Sequence, residues 1–248
     1  MSSQSACEAC GEGRELPVAI AMAFQPIVDL DQGGVFAWEA LVRGADGASA
    51  GSVISSIAED RMYAFDQACR VTAIDTAASL RMQQTLSINF LPNAVYQPEN
   101  CIRRTLAAAR RADWPVERIL FEVAEREYVS RPEHLLGILD AYRSMGFRTA
   151  IDDFGAGYAG LNLLAQFQPD LVKLDMALVR GIDGDRARRT IVDHGTRMCT
   201  ELGVAVVGEG VETRDEAAAL RDLGIDLQQG YLYARPQLGA LPEFRLAA

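Results

Sequence analysis

The sequence predicts an α/β fold: an irregular (β/α)8 barrel of the TIM type whose first strand runs antiparallel. Three observations predict it. From Leu86 onward, short apolar runs alternate with helical patterning, as in βα units around a parallel sheet. Adding the opening strands brings the count to about eight, which closes a barrel. The first two strands are separated only by a short turn, which makes them an antiparallel hairpin and the barrel irregular. An open doubly wound sheet is the competing arrangement, but no G-x-G-x-x-G follows the first strand.

Taken in order, Met22 to Asp29 reads as a strand, Asp31 to Gly34 as a turn, and Val35 to Arg43 as a second strand with one acid, Glu39, in an apolar run. Gly44 to Gly51 is a loop of small residues. Helical spacing covers Val53 to Ala58 and Tyr63 to Met82. Leu86 to Leu91 is a strand closed by Pro92, and Glu99 to Arg111 a helix. The pattern then repeats: strand Arg118 to Val123, helix Pro132 to Met145, and a strand ending at Asp152-Asp153 before the Gly155-Ala156-Gly157 turn. A helix follows near Tyr158 to Phe167, then strand Asp170 to Asp175 and a long helix from Asp185 to Leu202. Strand Val204 to Glu209 and helix Arg214 to Leu223 follow, and Leu227 to Tyr231 reads as the last strand.

Composition narrows the function. The chain has 248 residues, 49% of them hydrophobic, and a formal net charge of -10. No apolar run is long enough to span a membrane, and the run from Leu16 to Phe24 lacks the basic flank of a signal peptide, so a cytoplasmic location is expected. The acidic balance argues against binding long nucleic acid, but bound cations would let a small phosphorylated ligand approach. Residues 1–15 read as a flexible N-terminal arm, with 16–248 forming the barrel. The arm carries the C-x-x-C of Cys7 and Cys10, which without a second pair or a nearby histidine is at most half of a zinc site; a shared metal clip and a redox pair are the competing readings. Cys69, Cys101 and Cys199 fall in helical or apolar stretches and read as reduced, mostly buried thiols.

The chemistry lies at strand ends. Glu39, Asn89, Glu122, Asp152, Asp153, Lys173 and Glu209 all sit inside or at the C-terminal end of apolar strands, and in a β/α barrel those ends converge on one face. Any one of them could cap a helix, but six strands repeat the placement. Oxygen ligands without histidine suit Mg2+ or Mn2+, and the two histidines, His134 and His194, lie in helical stretches away from these ends. That argues against a histidine-based zinc site or a Ser-His-Asp triad. Two cations would let the acids attract a phosphate and activate a water, with Asp152 placed to bridge them, Lys173 to orient or help deprotonate the water, and Arg43 to hold a phosphate oxygen.

At these residues the sequence resembles the EAL family of cyclic-di-GMP phosphodiesterases. The resemblance is carried by Gln25-Pro26-Ile27-Val28, Glu39-Ala40-Leu41-Val42-Arg43, Asn89, Glu122-Val123-Ala124-Glu125, Asp152-Asp153-Phe154-Gly155-Ala156-Gly157-Tyr158, Val172-Lys173-Leu174-Asp175, Glu209-Gly210-Val211-Glu212-Thr213 and Gln229-Gly230-Tyr231-Leu232, covering roughly Met22 to Pro236. It implies hydrolysis of cyclic di-GMP to the linear dinucleotide pGpG with two Mg2+ or Mn2+ ions. Glu39, Asn89, Glu122 and Asp152 would hold one ion, and Asp152, Asp153 and Glu209 the other. Lys173 would contact the attacking water, with Lys173, Glu39 and Glu209 the catalytic set. Gln25, Leu41, Arg43, Glu212 and Gln229 would line the substrate site. Glu125 would brace the loop from Asp153 to Gly160, with Asp175 also in support, and in the family that loop links the metal site to a homodimer interface. Departures from the common pattern are Leu91 and Ala124 for small hydroxyl residues, Ala159 and Gly160 for serines, and Gly44 where an aromatic is frequent.

No sensor, receiver or cyclase segment fits before Met22, so the barrel either stands alone or belongs with a separate regulatory protein or domain. Two other functions compete. One is a catalytically weak cyclic-di-GMP receptor or protein-interaction module, although the chain has lost none of the acids nor the lysine. The other is a metal-dependent barrel enzyme that abstracts a proton beside a carboxylate, with Lys173 as base.

Overall fold

Strand β1 (Ile20–Asp29) and strand β2 (Gly34–Gly44) form the expected hairpin, paired antiparallel from Ile20↔Gly44 to Asp29↔Gly34. The turn between them closes with Gly33 at φ +69°, a backbone conformation open to glycine. The computed structural model describes residues 18–95, 97–125, 132–157 and 160–246. The Cys7–Cys10 motif, Tyr158 and Ala159 lie outside those residues.

Six parallel strands follow β2: β3 (Thr85–Asn89), β4 (Ile119–Ala124), β5 (Arg148–Phe154), β6 (Leu171–Leu174), β7 (Ala205–Gly208) and β8 (Leu227–Gln228). β8 then pairs antiparallel with β1, so eight strands close on themselves and β1 is antiparallel to both neighbours. The chain is thus the irregular α/β barrel that its sequence predicts. No helix among the described residues is long and apolar enough to cross a membrane.

Period-2 alternation sorts the side chains of each strand. Ile27, Ala37, Leu120, Ala150, Leu171 and Val207 point inward and form an apolar plug. The outward faces pack under helices in two larger clusters, one around Phe24, Ile88, Phe121 and Tyr142, the other around Ile151, Val172, Val206 and Leu220. Burying a Leu, Ile or Phe side chain contributes about 1.5–3 kcal/mol, so these clusters, rather than helix propensity, hold the barrel closed.

Several element bounds differ from expectation. The helix expected over Glu99 to Arg111 is two, Pro98–Cys101 and Arg103–Arg111, which share fully buried Ile102 as a cap. The last barrel strand stops at Gln228 instead of Tyr231. Beyond it the backbone folds onto the loop after β7: Val211 N–H donates to the Gln229 carbonyl and Leu232 N–H to the Val211 carbonyl. A Cβ at Gly230 would lie 2.0 Å from that Val211 oxygen, so only glycine permits this approach. The stretch after β6 holds a short helix, Met176–Val179, that apolar periodicity did not signal. A ninth strand, β9 (Gln237–Leu238), also went unread; it pairs with β1 at Ala23–Phe24.

Candidate metal and active site

The apolar plug sets the positions above it. Glu39, Glu122, Asp152, Lys173 and Glu209 each lie two residues past a plug residue on a parallel-running strand, hence on the same inward face and one layer higher. Gln25 lies two residues before Ile27 because β1 runs the other way, and it is the register partner of Glu39. Asn89 is the register partner of Glu122. One layer of the barrel therefore gathers residues that are far apart in sequence.

Lys173 is at its centre and wholly buried. Its Nζ lies 2.7 Å from Glu209 Oε1, 3.0 Å from Glu122 Oε2, 3.2 Å from Asp152 Oδ1 and 3.5 Å from Glu39 Oε2. Burial alone would push this amine down, but Asp152, Glu122, Glu209 and Glu39 together hold it well above the ordinary lysine range. In the metal-free site the four acids thus hold Lys173 as an ammonium and hydrogen-bond donor. Burial drives Glu122 up to about 8, opposed by Lys173 and assisted by Glu39 and Asp152. Glu209 is raised in the same way.

The carboxylate oxygens fall into two groups. Those of Glu39, Glu122 and Asp152 lie within 4.8 Å of one another, as do those of Asp152, Asp153 and Glu209, so Asp152 belongs to both. The β5–β6 register slips between Ile151 and Phe154, and Asp153 adopts φ +53°, a conformation sparse for a residue with a Cβ. Asp153 N–H donates to Asp152 Oδ1 at 2.9 Å. This bulge lets two consecutive acids share one site, where an unbroken strand would send them to opposite faces.

The remaining candidates divide. Asn89 Nδ2 donates to Glu39 Oε1 at 2.9 Å, and Gln229 Nε2 to Glu39 Oε2 at 2.7 Å and to Gln25 Oε1 at 3.3 Å. Leu41 and Arg43 follow Glu39 on the same strand face, and Arg43 Nη1 donates to the Val42 carbonyl. Glu212 is not joined to this network by any observed hydrogen bond; Arg180 holds both its oxygens, at 2.7 and 2.8 Å. Asp175 caps the helix Met176–Val179 through the Ala177 N–H. His134 and His194 bond backbone carbonyls of Val95 and Thr190, away from the acids.

Glu125 accepts the N–H groups of Gly155 at 2.7 Å, Gly157 at 3.2 Å and Gly160 at 2.6 Å. A Cβ at Gly160 would come within 2.9 Å of both the Glu125 carboxylate and the Phe154 ring, so glycine at this position lets the loop close on Glu125. Glycine at 44 leaves room for Ala48, whose Cβ would lie 2.9 Å from a Cβ there. Glu125→Ala orphans three amide donors, each costing about 1–3 kcal/mol when buried. Amide exchange at Gly155 and Gly160 is expected to accelerate about tenfold or more; unchanged protection would show that Glu125 does not hold the loop.

Sequence reasoning passed over two residues. Ser87, wholly buried, donates its hydroxyl to Glu122 Oε1; its place two residues before Asn89 on the same face was the available signal. Arg180, which fixes Glu212, caps the short helix Met176–Val179, which apolar periodicity did not signal.

Comparison with known proteins gives the family. The family model described as "EAL domain" matches residues 16–236. The chain belongs to the EAL domain family. This EAL domain is 49% identical to a standalone versatile EAL protein from Vibrio cholerae O395, solved in a c-di-GMP bound form, with a TM-score of 0.90 over 93% of this chain and 98% of that one. It is 36% identical to Klebsiella pneumoniae BlrP1 in a manganese/cy-diGMP complex, with a TM-score of 0.87, covering 93% of this chain and 59% of BlrP1. Among curated relatives, it is 30% identical to the blue light- and temperature-regulated antirepressor BluF of Escherichia coli K12 over 89% of this chain and 55% of BluF. It is 35% identical to the cyclic di-GMP phosphodiesterase RocR of Pseudomonas aeruginosa over 49% of this chain and 31% of RocR. The EAL domain thus spans about half, or less, of the length of these curated relatives.

Proposed function

We propose that this EAL domain hydrolyses one phosphodiester bond of cyclic di-GMP to give the linear dinucleotide pGpG, with two divalent cations, Mg2+ or Mn2+, as cofactors. The observation that carries the reading is the pair of carboxylate groups sharing Asp152 around a buried lysine. Relatives supply the substrate: RocR is a cyclic di-GMP phosphodiesterase, and BlrP1 was solved with manganese and the same nucleotide.

The donor set fits hard cations. Five carboxylates and an amide offer only oxygen, without thiolate or imidazole, which matches Mg2+ or Mn2+. If all five acids are ionised, one ammonium leaves an excess of negative charge that would repel a phosphate. Glu39, Asn89, Glu122 and Asp152 would hold one ion, and Asp152, Asp153 and Glu209 the other. When bound, the cations neutralise the acids, draw in the phosphate and make water acidic enough to attack near neutral pH.

In hydrolysis the oxygen of water joins phosphorus, the bond from phosphorus to the 3′ oxygen breaks, and that oxygen leaves with a proton. Lys173, as an ammonium, orients the attacking water through a hydrogen bond it donates and stabilises charge developing on the phosphate. Glu39 and Glu209 fix the lysine from two sides while serving as ligands. Gln229 holds Glu39 in place and is itself held by Gln25; both, with Leu41, Arg43 and Glu212, line the space for the nucleotide. Glu125 and Asp175 keep the neighbouring loop and helix in position. In the metal-free site the four acids hold Lys173 as an ammonium, which disfavours the competing proton-abstraction reading, since that needs a neutral amine. A homodimer belongs to the same proposal and is read by sedimentation.

The deciding experiment follows the nucleotide product after incubation with cyclic di-GMP and Mg2+ or Mn2+, with a chelator control. Metal-dependent pGpG supports the proposal. Saturable binding without product would favour the receptor or interaction module, a reading to which the antirepressor BluF gives weight.

Metal affinity is expected to depend on pH. Glu122, pushed up to about 8, carries a proton at pH 6 that a cation must displace. Proton and cation compete for one carboxylate, so affinity rises from pH 6 to about 8 and then levels. Calorimetry in buffers of different ionisation enthalpy would detect proton release at pH 6; its absence would contradict this assignment.

A further inference from the structure

Arg70 and Asp66 are buried charges that the site does not use, both on the helix Met62–Ser79. Arg70 Nη2 stands 2.7 Å from Asp66 Oδ2, and Nη1 donates to the Tyr142 hydroxyl at 2.8 Å. The guanidinium carbon lies 5.5 Å from the ring centre of Phe90, 5.2 Å from that of Phe121 and 5.8 Å from that of Tyr142. Apolar residues of similar volume often stabilise a core as well as such an ion pair does, so stability alone does not account for it.

Its location does. Phe90 follows Asn89 and Phe121 precedes Glu122, and Asn89 and Glu122 are register partners across β3 and β4. Alternation sends Asn89 and Glu122 into the barrel and the two phenylalanines outward. Arg70 therefore grips the outer face of the wall at the rung whose inner face carries two candidate ligands. Asp66 secures the next backbone group. Phe90 N–H bonds the Glu122 carbonyl at 3.0 Å, and Leu91 N–H goes instead to Asp66 Oδ1, also at 3.0 Å.

We infer that the Asp66–Arg70 pair, with Tyr142, is a positioning element for cation binding, fixing the Asn89–Glu122 rung from behind the barrel wall. The inference rests on the reading that Asn89 and Glu122 hold a divalent cation. Neither charge reaches the ion; both act through the strands.

The test uses the full chain, Mn2+ titration by calorimetry and thermal melting. The double variant Asp66→Leu/Arg70→Met removes both charges together and avoids leaving one buried alone. Because it also orphans the Leu91 N–H, it is expected to melt within about 10 °C of wild type yet bind Mn2+ about tenfold more weakly. Tyr142→Phe keeps the ion pair, loses one hydrogen bond and is expected to weaken Mn2+ a few-fold; it decides the matter if the double variant does not fold. Wild-type Mn2+ affinity in the folded variants overturns the inference, whether or not melting falls, because the pair would then be merely structural. Failure of the wild-type protein itself to bind Mn2+ overturns the cation reading, and this inference with it.

Discussion

Glu39→Ala is expected to abolish turnover of cyclic di-GMP while leaving the barrel folded. Glu39 touches Asn89, Gln229 and Lys173, and it contributes an oxygen to only one of the two carboxylate groups. Removing it subtracts a ligand from one proposed ion, whereas the group of Asp152, Asp153 and Glu209 stays intact. Losing a hydrogen bond to a ligand typically weakens a metal site by about 10–100-fold, so losing the ligand itself should cost more than about a hundredfold in rate. Mn2+ titration should fall from two bound ions to one. The metal-free variant should stay folded because the site loses one of its excess negative charges, although the Asn89 and Gln229 amides lose an acceptor. Glu39→Gln separates the effects, since its amide keeps the shape and much of the hydrogen bonding but not the charge. Near-normal turnover in either variant would sink the two-cation assignment.

The residues that form this site were legible in sequence because one rule produces them. A polar residue two positions beyond an inward apolar one, repeated along parallel strands, becomes a ring once the barrel closes; Ala37 then Glu39, Leu120 then Glu122 and Leu171 then Lys173 show it. The antiparallel hairpin was equally legible, because a short turn after Asp29 leaves no room for a crossover. What the sequence hid depends on contact between distant segments. The early end of β8 comes from the approach of Gly230 to Val211, which no local propensity encodes. The pairing of Glu212 with Arg180 joins two loops, and the bulge at Asp153 shows itself only as a register slip against β6. Asp66 and Arg70 are buried only because Tyr142 and the phenylalanines, from distant segments, close around them.

Lys173→Met is expected to damage both stability and chemistry, and the two can be separated. In the metal-free protein Lys173 is the cation shared by Glu39, Glu122, Asp152 and Glu209. Removing one partner of a buried ionic group typically costs about 3–5 kcal/mol. At about 2–4 °C per kcal/mol for a chain of this size, melting should fall by roughly 10 °C. The loss should grow with pH. Lys173 opposes the upward push that burial exerts on Glu122 and Glu209, so without it both acids hold their protons to higher pH in the folded state than in the wild type. An acid raised in the folded state favours folding while protonated, and it loses that advantage as pH rises from its unfolded value through its folded one. The variant should therefore approach wild-type melting near pH 5 and fall furthest behind above pH 8. Saturating Mn2+ should recover most of the stability, because cations neutralise the same acids. It should not recover turnover: kcat should stay about 100-fold or more below wild type with KM little changed, because the nucleotide keeps its other contacts while the attacking water loses its donor. If Mn2+ restored kcat as well as melting, Lys173 would be a counter-ion for the empty acids and would have no part in the reaction.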